Sequence, residues 1–191
     1  MPFLRPPTLP GLLLAAALGS AAVFSGHPVR AEEPGQWVVG LSAGGAAVRV
    51  DQRWRFGLQI GAEGRYGLTE FWALRGAAHL SGHGGEDGSQ AFPPVQTGTA
   101  ALGLAYAWDV LRVVPFAEAG VVLAGIRGDL SQSGLFGGVQ LGGGLNYLID
   151  RQWAAGACLR FQHLGLGVSL DASPAEAPML LGILLRVERR L

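Results

Sequence analysis

The sequence of 191 residues contains no lysine, a single cysteine and few charged residues of any kind. Its 14 basic residues are all arginine, 14 acidic residues balance them, and charged residues make up 15% of the chain. This composition, with a mean hydropathy of +0.32, excludes a disordered chain and argues against a nucleic-acid-binding protein. The single Cys158 excludes an internal disulfide framework and a four-cysteine zinc site.

Long apolar runs are also missing from Gly35 onward, so no transmembrane helix is predicted there. The apolar run at 12–24 follows a short polar region and is about 13 residues long, whereas a spanning helix needs about 20. The run is typical of a secretory signal peptide, predicted at 1–31 and cleaved after Ala31, with Ala22 as the alternative site. An uncleaved membrane anchor is the alternative interpretation.

Glycine, by contrast, is abundant, with 31 residues and no collagen-like period of three. Each glycine inside a helix costs about 1 kcal/mol relative to alanine, so this composition argues against long helices. The remaining class is an all-β protein.

Apolar and polar residues alternate along most of the chain after the signal region. Between Trp54 and Tyr66 every even position is apolar, aromatic or glycine, while the odd positions hold Arg, Gln, Glu and Gly. Such a strand presents one face to an apolar medium and the other face to a polar one. Similar segments lie near 37–50, 72–80, 99–109, 113–123, 139–147, 153–162 and 181–188. In the first of them the alternation slips at Gly44-Gly45, which predicts a β-bulge.

The predicted strands have the length and polarity of membrane-spanning strands. They run to about 11–14 residues, longer than the 5–6 usual in soluble sheets. The apolar face carries no charge before Arg189, and the charges inside strands fall on the other face, which is the reverse of a soluble barrel. Short links are predicted at 68–70, about 110–111 and 149–151, and long loops at 82–96, 127–135 and 167–177. This asymmetry is typical of periplasmic turns and extracellular loops.

Two groups of side chains are predicted from this pattern. Aromatic residues at strand ends form a membrane-interface belt of Trp37, Tyr66, Trp72, Trp108, Tyr147 and Trp153. Polar residues that face the lumen form a network of Glu63, Arg65, Arg75, Glu118, Gln140, Arg160, Arg186 and Glu188. Three-residue hairpin loops would pair Tyr66 with Trp72, Glu63 with Arg75, Tyr147 with Trp153 and Gln140 with Arg160.

With these features, the chain resembles the small eight-stranded outer-membrane β-barrel proteins of Gram-negative bacteria, the OmpA-like and OmpX-like membrane domains. The resemblance covers 32–191 and implies an all-β, eight-stranded antiparallel up-and-down transmembrane β-barrel. It implies a monomer in the outer membrane, surrounded by outer-membrane lipid and lipopolysaccharide and inserted by the barrel assembly machinery. Such proteins end in an aromatic residue that aids assembly, whereas this chain ends in Leu191.

The expected function is a structural or surface-interaction role, because side chains can fill so narrow a lumen. A narrow porin-like channel is the first alternative, and a lipid A-modifying enzyme that uses His163 with Ser169 and Asp171 is the second. No catalytic site, cofactor or metal is expected. His79 and His83 share a face but lie about 13 Å apart, too far for one ion. The segment 81–88 is predicted as a polar loop, with weak metal binding as its alternative.

Overall fold

The computed structural model describes residues 33–50, 52–87, 90–108, 112–128, 134–165 and 177–191. The described residues form eight β-strands. Their bounds are β1 Trp37–Val50, β2 Arg53–Gly67, β3 Trp72–Asp87, β4 Gln90–Ala107, β5 Val113–Arg127, β6 Gly134–Leu148, β7 Trp153–His163 and β8 Met179–Arg190. The predicted signal peptide at 1–31 lies outside the described residues. Within the described part of the chain, no helix is long and apolar enough to cross a membrane.

Each strand pairs antiparallel with its neighbour in sequence, and β8 pairs with β1, so the sheet closes into a barrel. The predicted up-and-down fold is therefore confirmed. Following the strand pairs once around the barrel from Val38 leads back to Val48, ten residues further along β1. A stagger of this size accompanies the strand tilt of about 35–45° that is typical of barrels.

The two faces of the sheet differ in burial as the alternation predicts. On β2, Leu58 and Ile60 are 75% and 62% exposed on the outer wall, whereas Gln59 between them is 8% exposed in the lumen. We call the barrel end that holds Trp37 and Arg190 the proximal end and the other the distal end. The links after β2, β4 and β6 lie at the proximal end.

The predicted register of the β2–β3 hairpin is wrong by two residues. Tyr66 lies opposite Leu74 rather than Trp72, and Glu63 lies opposite Ala77 rather than Arg75. The link spans four residues, 68–71, which form a hydrogen-bonded turn. The amides of Leu68 and Thr69 both donate to the carbonyl of Trp72. The Thr69 hydroxyl also accepts bonds from the amides of Phe71 and Trp72, at 3.2 and 3.0 Å.

The β6–β7 hairpin shows the same displacement for the same reason. Tyr147 lies opposite Ala155 and Gln140 opposite Gln162, so the predicted pairs with Trp153 and Arg160 are wrong. Here the Asp150 carboxylate accepts bonds from the amides of Gln152 and Trp153, at 2.7 and 2.8 Å. A two-residue displacement keeps every side chain on its predicted face, because side chains alternate with a period of two.

The predicted bulge at Gly44-Gly45 is also wrong, because β1 pairs without interruption with both of its neighbours. The irregularity lies instead in the β3–β4 ladder, where His83 pairs with Val95 but Gly85 pairs with Phe92. Between these pairs Gly84 on β3 stands against two residues on β4, the prolines at 93–94, which lack the amide hydrogen that a regular ladder needs.

The predicted loop at 82–96 is the largest error in the strand assignment. β3 continues to Asp87 and β4 begins at Gln90, so only 88–89 link the two strands. β3 pairs with β2 as far as Gly84 and β4 pairs with β5 from Gln96, so the ladder beyond them is two-stranded. Of the other predicted loops, the one at 127–135 shortens to 128–133, and most of the one at 167–177 lies outside the described residues.

Candidate functional site

The barrel lumen is filled by side chains in distinct layers. The charged layer, in the proximal half, consists of Glu63, Arg65, Arg75, Glu118, Arg160, Arg186 and Glu188. The distal apolar layer consists of Val48, Val50, Val95, Val122, Ala124, Ile126, Phe136, Leu164 and Leu180. Every residue of the charged layer is only 2–6% exposed, so these charges are held away from water.

Glu63 on β2 lies among three arginines that come from three other strands. Its Oε2 accepts a hydrogen bond from Arg75 Nη2 at 2.6 Å and lies 3.6 Å from Arg160 Nη2. Its Oε1 lies 3.7 Å from Arg186 Nη1. The predicted contact between Glu63 and Arg75 therefore forms, although the two residues are not directly opposite in the ladder.

Glu118 on β5 links two of the same arginines from the opposite side. Its Oε2 lies 3.1 Å from Arg75 Nε, and its Oε1 accepts from Arg160 Nε at 3.0 Å. Gln140 also donates to Oε1, at 3.2 Å, so this carboxylate binds both members of the predicted Gln140–Arg160 pair.

Glu188 on β8 completes the network at the proximal mouth. Arg65 Nη2 donates to its Oε2 at 2.5 Å, and Arg186 Nε lies 3.2 Å from its Oε1. The structure thus brings all eight predicted lumen residues into one connected network. Four guanidinium groups face three carboxylates, and each carboxylate contacts at least two arginines.

Sequence reasoning missed four members of this network. Asn146 accepts from Arg186 Nε at 2.9 Å and donates to Glu188, and Gln162 donates to Gln140 at 2.8 Å. The Phe116 ring lies 3.9 Å below the Arg186 guanidinium. Their positions on the lumen face follow from the alternation. Gln162 lies directly opposite Gln140 on the neighbouring strand, whereas Asn146 and Phe116 contact Arg186 on β8, which is adjacent to neither β6 nor β5.

His79 is the fourth missed member. Arg160 Nη1 lies 2.7 Å from His79 Nε2, and the Ser42 hydroxyl lies 3.3 Å from the same nitrogen. A guanidinium group only donates hydrogen bonds, so His79 accepts this bond as a neutral imidazole.

Glycines on the lumen face make the space that these long side chains occupy. A Cβ at Gly61 would collide with the His79 ring, and a Cβ at Gly142 would lie 2.7 Å from Glu118 Oε1. A Cβ at Gly156 would likewise meet Asn146. The high glycine content of the chain therefore has a steric cause at these positions.

Beside the distal apolar layer lies a small cluster of hydroxyl and imidazole groups, in which His83 is directly opposite Val95. Ser81 Oγ lies 2.9 Å from His83 Nε2 and also bonds to Thr97 Oγ1. His83 is 1% exposed on the lumen face of β3, so its predicted place in a polar loop is wrong. Within the described ranges, no three His, Cys, Asp or Glu side chains lie close enough to hold a metal ion.

Both ends of the lumen are narrow. The distal apolar layer covers the charged layer from above with nine side chains that are at most 6% exposed. At the proximal mouth a recess of about 10 Å³, lined by residues such as Arg65 and Glu188, has the size of about one water molecule.

The six predicted belt aromatics lie at the proximal end of the outer wall. Tyr66 is partly buried. The other five are 42–54% exposed: Trp37, Trp72, Trp108, Tyr147 and Trp153. The Trp37 and Tyr66 rings lie 5.0 Å apart. Tyr106, absent from the prediction, joins Trp72 and Trp108 at ring distances of 4.9 and 4.8 Å.

The remaining candidates are more isolated. His163 pairs with Val139 and Met179 on the outward face near the distal end. Its proposed partners Ser169 and Asp171 lie outside the described residues, so the catalytic arrangement is not tested. Cys158 is buried in a proximal apolar cluster, on the lumen face as predicted.

Residues 11–171 match the family described as "Outer membrane protein beta-barrel domain". No curated protein sequence matches the chain.

Solved structures with the same fold share little sequence with this chain. Neisserial surface protein A is 15% identical with a TM-score of 0.63, and the match covers 80% of this chain and 96% of that one. OprG from Pseudomonas aeruginosa is 11% identical with a TM-score of 0.58, covering 85% and 99%. Ail, the attachment invasion locus protein of Yersinia pestis, is 13% identical with a TM-score of 0.54, covering 83% and 99%. At these identities the likeness concerns the fold alone.

Proposed function

The chain belongs to the outer membrane protein β-barrel domain family, and we propose that it acts there as a closed, side-chain-filled barrel with a structural or surface-interaction role. In this proposal the proximal turns face the periplasm and the distal end faces outward, as is usual for such barrels. The signal peptide at 1–31 exports the chain, and the assembly machinery inserts it as a monomer among outer-membrane lipid and lipopolysaccharide.

The observation that carries the proposal is that two layers of side chains, the charged layer and the distal apolar layer, fill the lumen. An ion that crosses the barrel must first pass the nine apolar side chains of the distal layer, which replace none of its water and pack beside the buried Arg55. It must then separate buried ion pairs such as Glu118–Arg160. Breaking such a pair costs about 3–5 kcal/mol, because each charge is left buried without its partner. Both steps oppose a permanently open pore.

Conductance measurements on the refolded protein in planar lipid bilayers test this function. We expect no discrete current steps from the wild-type barrel, with a known porin in the same bilayers as the positive control. Phe136→Ala thins the distal layer but leaves the charged layer intact, so this variant should also stay silent. Discrete steps from the wild-type protein would contradict the proposal and favour a narrow channel.

The enzymatic alternative has its own test. Purified barrel incubated with lipopolysaccharide should release no fatty acid above a no-protein control. Release that His163→Ala abolishes would replace this proposal with a lipid A-modifying function. Tyr147→Ala, another outward substitution, serves as the control for general effects on folding.

A further inference from the structure

The outer wall of the barrel is not smooth in its distal half. A groove of about 920 Å³ runs across β2 to β5, with walls that include Leu58 and Leu80 and a floor that includes Gly82, Gly98 and Gly125. We call it the outer groove. Gly98 and Gly125 lie directly opposite each other on neighbouring strands, so two adjacent positions of the wall lack side chains. The leucines beside them are 75% and 67% exposed and project past this floor.

The groove continues toward the middle of the wall. A second depression of about 850 Å³ shares Ile60, Leu80, Gly98 and Gly125 with the first and extends over Ala78 and Ala100. The combined surface is largely apolar, and its lining extends from β1 to β6. In a membrane such a surface is filled by hydrocarbon, because an empty groove would lose its van der Waals contacts.

One charged side chain lines the distal end of the outer groove. Arg127 lies two residues beyond Gly125 on the same face of β5, directly opposite Gln96 on β4. The Arg127 side chain is exposed and outward-facing. In the proposed orientation, a guanidinium group at the distal end of β5 faces the outer leaflet, where the phosphate of a lipid headgroup has two oxygens that can accept a bidentate bond.

We propose that the outer groove is a binding site for a phosphorylated acyl glycolipid of the lipid A type. One acyl chain lies on the glycine floor between the leucine walls, and a phosphate of the headgroup contacts Arg127. This inference rests on the proposed orientation, because the distal end must face the outer leaflet. It assigns a specific lipid contact to this sector of the wall.

Glycine-to-leucine substitutions fill the groove without disturbing the barrel. A Cβ at Gly98 would lie 3.5 Å from Leu80 Cδ2, and one at Gly125 would lie 4.0 Å from the Gly98 carbonyl oxygen, both ordinary contacts. Gly45→Leu is the matched control, since Gly45 is outward-facing on β1 with nothing within 4 Å of its Cβ position. Arg127→Gln removes the charge. Arg189→Gln is its control at the proximal end, where that arginine lies 5.6 Å from the Trp153 ring.

Native mass spectrometry of the refolded protein in detergent micelles, titrated with purified lipid A, measures the binding. Wild type, Gly45→Leu and Arg189→Gln should each bind one lipid A with equal affinity. Arg127→Gln should weaken binding about fivefold, the usual contribution of one basic side chain near a membrane surface. Gly98→Leu should weaken it by a similar factor, because groove and chain are both apolar and only packing is lost.

Two further probes make the result specific. Dephosphorylated lipid A should bind wild type and Arg127→Gln equally, because no phosphate remains for the guanidinium group. Phosphatidylethanolamine should bind more weakly than lipid A. The proposal would be overturned if Gly98→Leu and Gly45→Leu bound lipid A equally, or if phosphatidylethanolamine bound as tightly as lipid A. A protein dimer that forms in the wild type and is lost in Gly98→Leu would also overturn it. None of these binding outcomes bears on conductance, so the proposed closed-barrel function is tested independently of the lipid site.

Discussion

The two halves of the lumen exclude water by different means. In the proximal half, Glu63, Glu118 and Glu188 hold four arginines in a network that crosses the barrel. In the distal half, nine aliphatic and aromatic side chains pack against one another. Each charged contact needs one particular partner, on a neighbouring strand as in Glu63–Arg75 or across the lumen as in Glu63–Arg160, whereas an apolar side chain accepts any neighbour of suitable shape. The charged half therefore requires particular side chains to meet, and the apolar half closes the end of the barrel.

The energies of the two layers differ in the same way. Apolar packing stabilises in proportion to the contacts made. A buried ion pair offsets a large desolvation cost with its mutual attraction, so its net contribution is small while both partners are present. Removing one partner leaves the other charge buried without compensation, so the full desolvation cost lowers the free energy of unfolding. The charged layer should therefore be far more sensitive to a single substitution than the apolar layer.

Glu63→Gln should have the largest effect on this comparison. The substitution keeps the shape of the side chain but leaves Arg75, Arg160 and Arg186 with one carboxylate fewer. We expect a loss of about 3–5 kcal/mol in the free energy of unfolding, measured by guanidinium titration in detergent micelles. Glu33→Gln, at an exposed carboxylate, is the control. A loss no greater than the control would show that the network is not a coupled unit.

Gly61→Ala should have an intermediate effect. The added methyl group collides with the His79 ring, which must move away from Arg160. Overpacking of this kind costs about 1–3 kcal/mol. The same unfolding titration measures it, and Gly76→Ala, where nothing lies within 4 Å of the new Cβ, is the matched control on the outer wall. Equal stability of the two variants would contradict a steric role for the lumen glycines.

Ile126→Val should have the smallest effect, although Ile126 is 1% exposed. The substitution removes one methylene group from the distal apolar layer and leaves no polar group unpaired. A loss of about 0.5–1.5 kcal/mol is expected, again from guanidinium unfolding. Leu123→Val, on the outer wall of the same strand, should lose less because lipid replaces the missing contact. If Ile126→Val were as damaging as Glu63→Gln, the distinction between the layers would not hold.

The sequence was sufficient to assign the charged network and the aromatic belt to their faces, but it did not fix the register. Every predicted lumen residue lies in the lumen, because alternation along each strand is a local property. The register of two hairpins depended on the bonds of Thr69 and Asp150 to nearby amides, which lengthened each turn and displaced the pairing by two residues. These side chains were visible in the sequence, and their preference for capping turns was the signal that was missed.

The error at 82–96 has a different cause. Glycines, prolines and acidic residues there are typical of a loop, yet the backbone continues as a two-stranded ladder with an irregularity after His83. Ladder bonds come from the backbone and need no particular side chain. The composition of this segment therefore could not reveal it.

The sequence alone determined that the chain forms eight amphipathic strands with an apolar outer face, because side-chain alternation and strand length depend only on neighbouring residues. The tertiary structure decided which charges meet. Glu63 reaches arginines on β3, β7 and β8, and the partners on β7 and β8 become its neighbours only when the staggered sheet closes. It also decided where glycine is needed, since Gly61 and Gly142 face long side chains from adjacent strands. Closure converts local alternation into specific contacts, and no local pattern encodes the stagger at which it occurs.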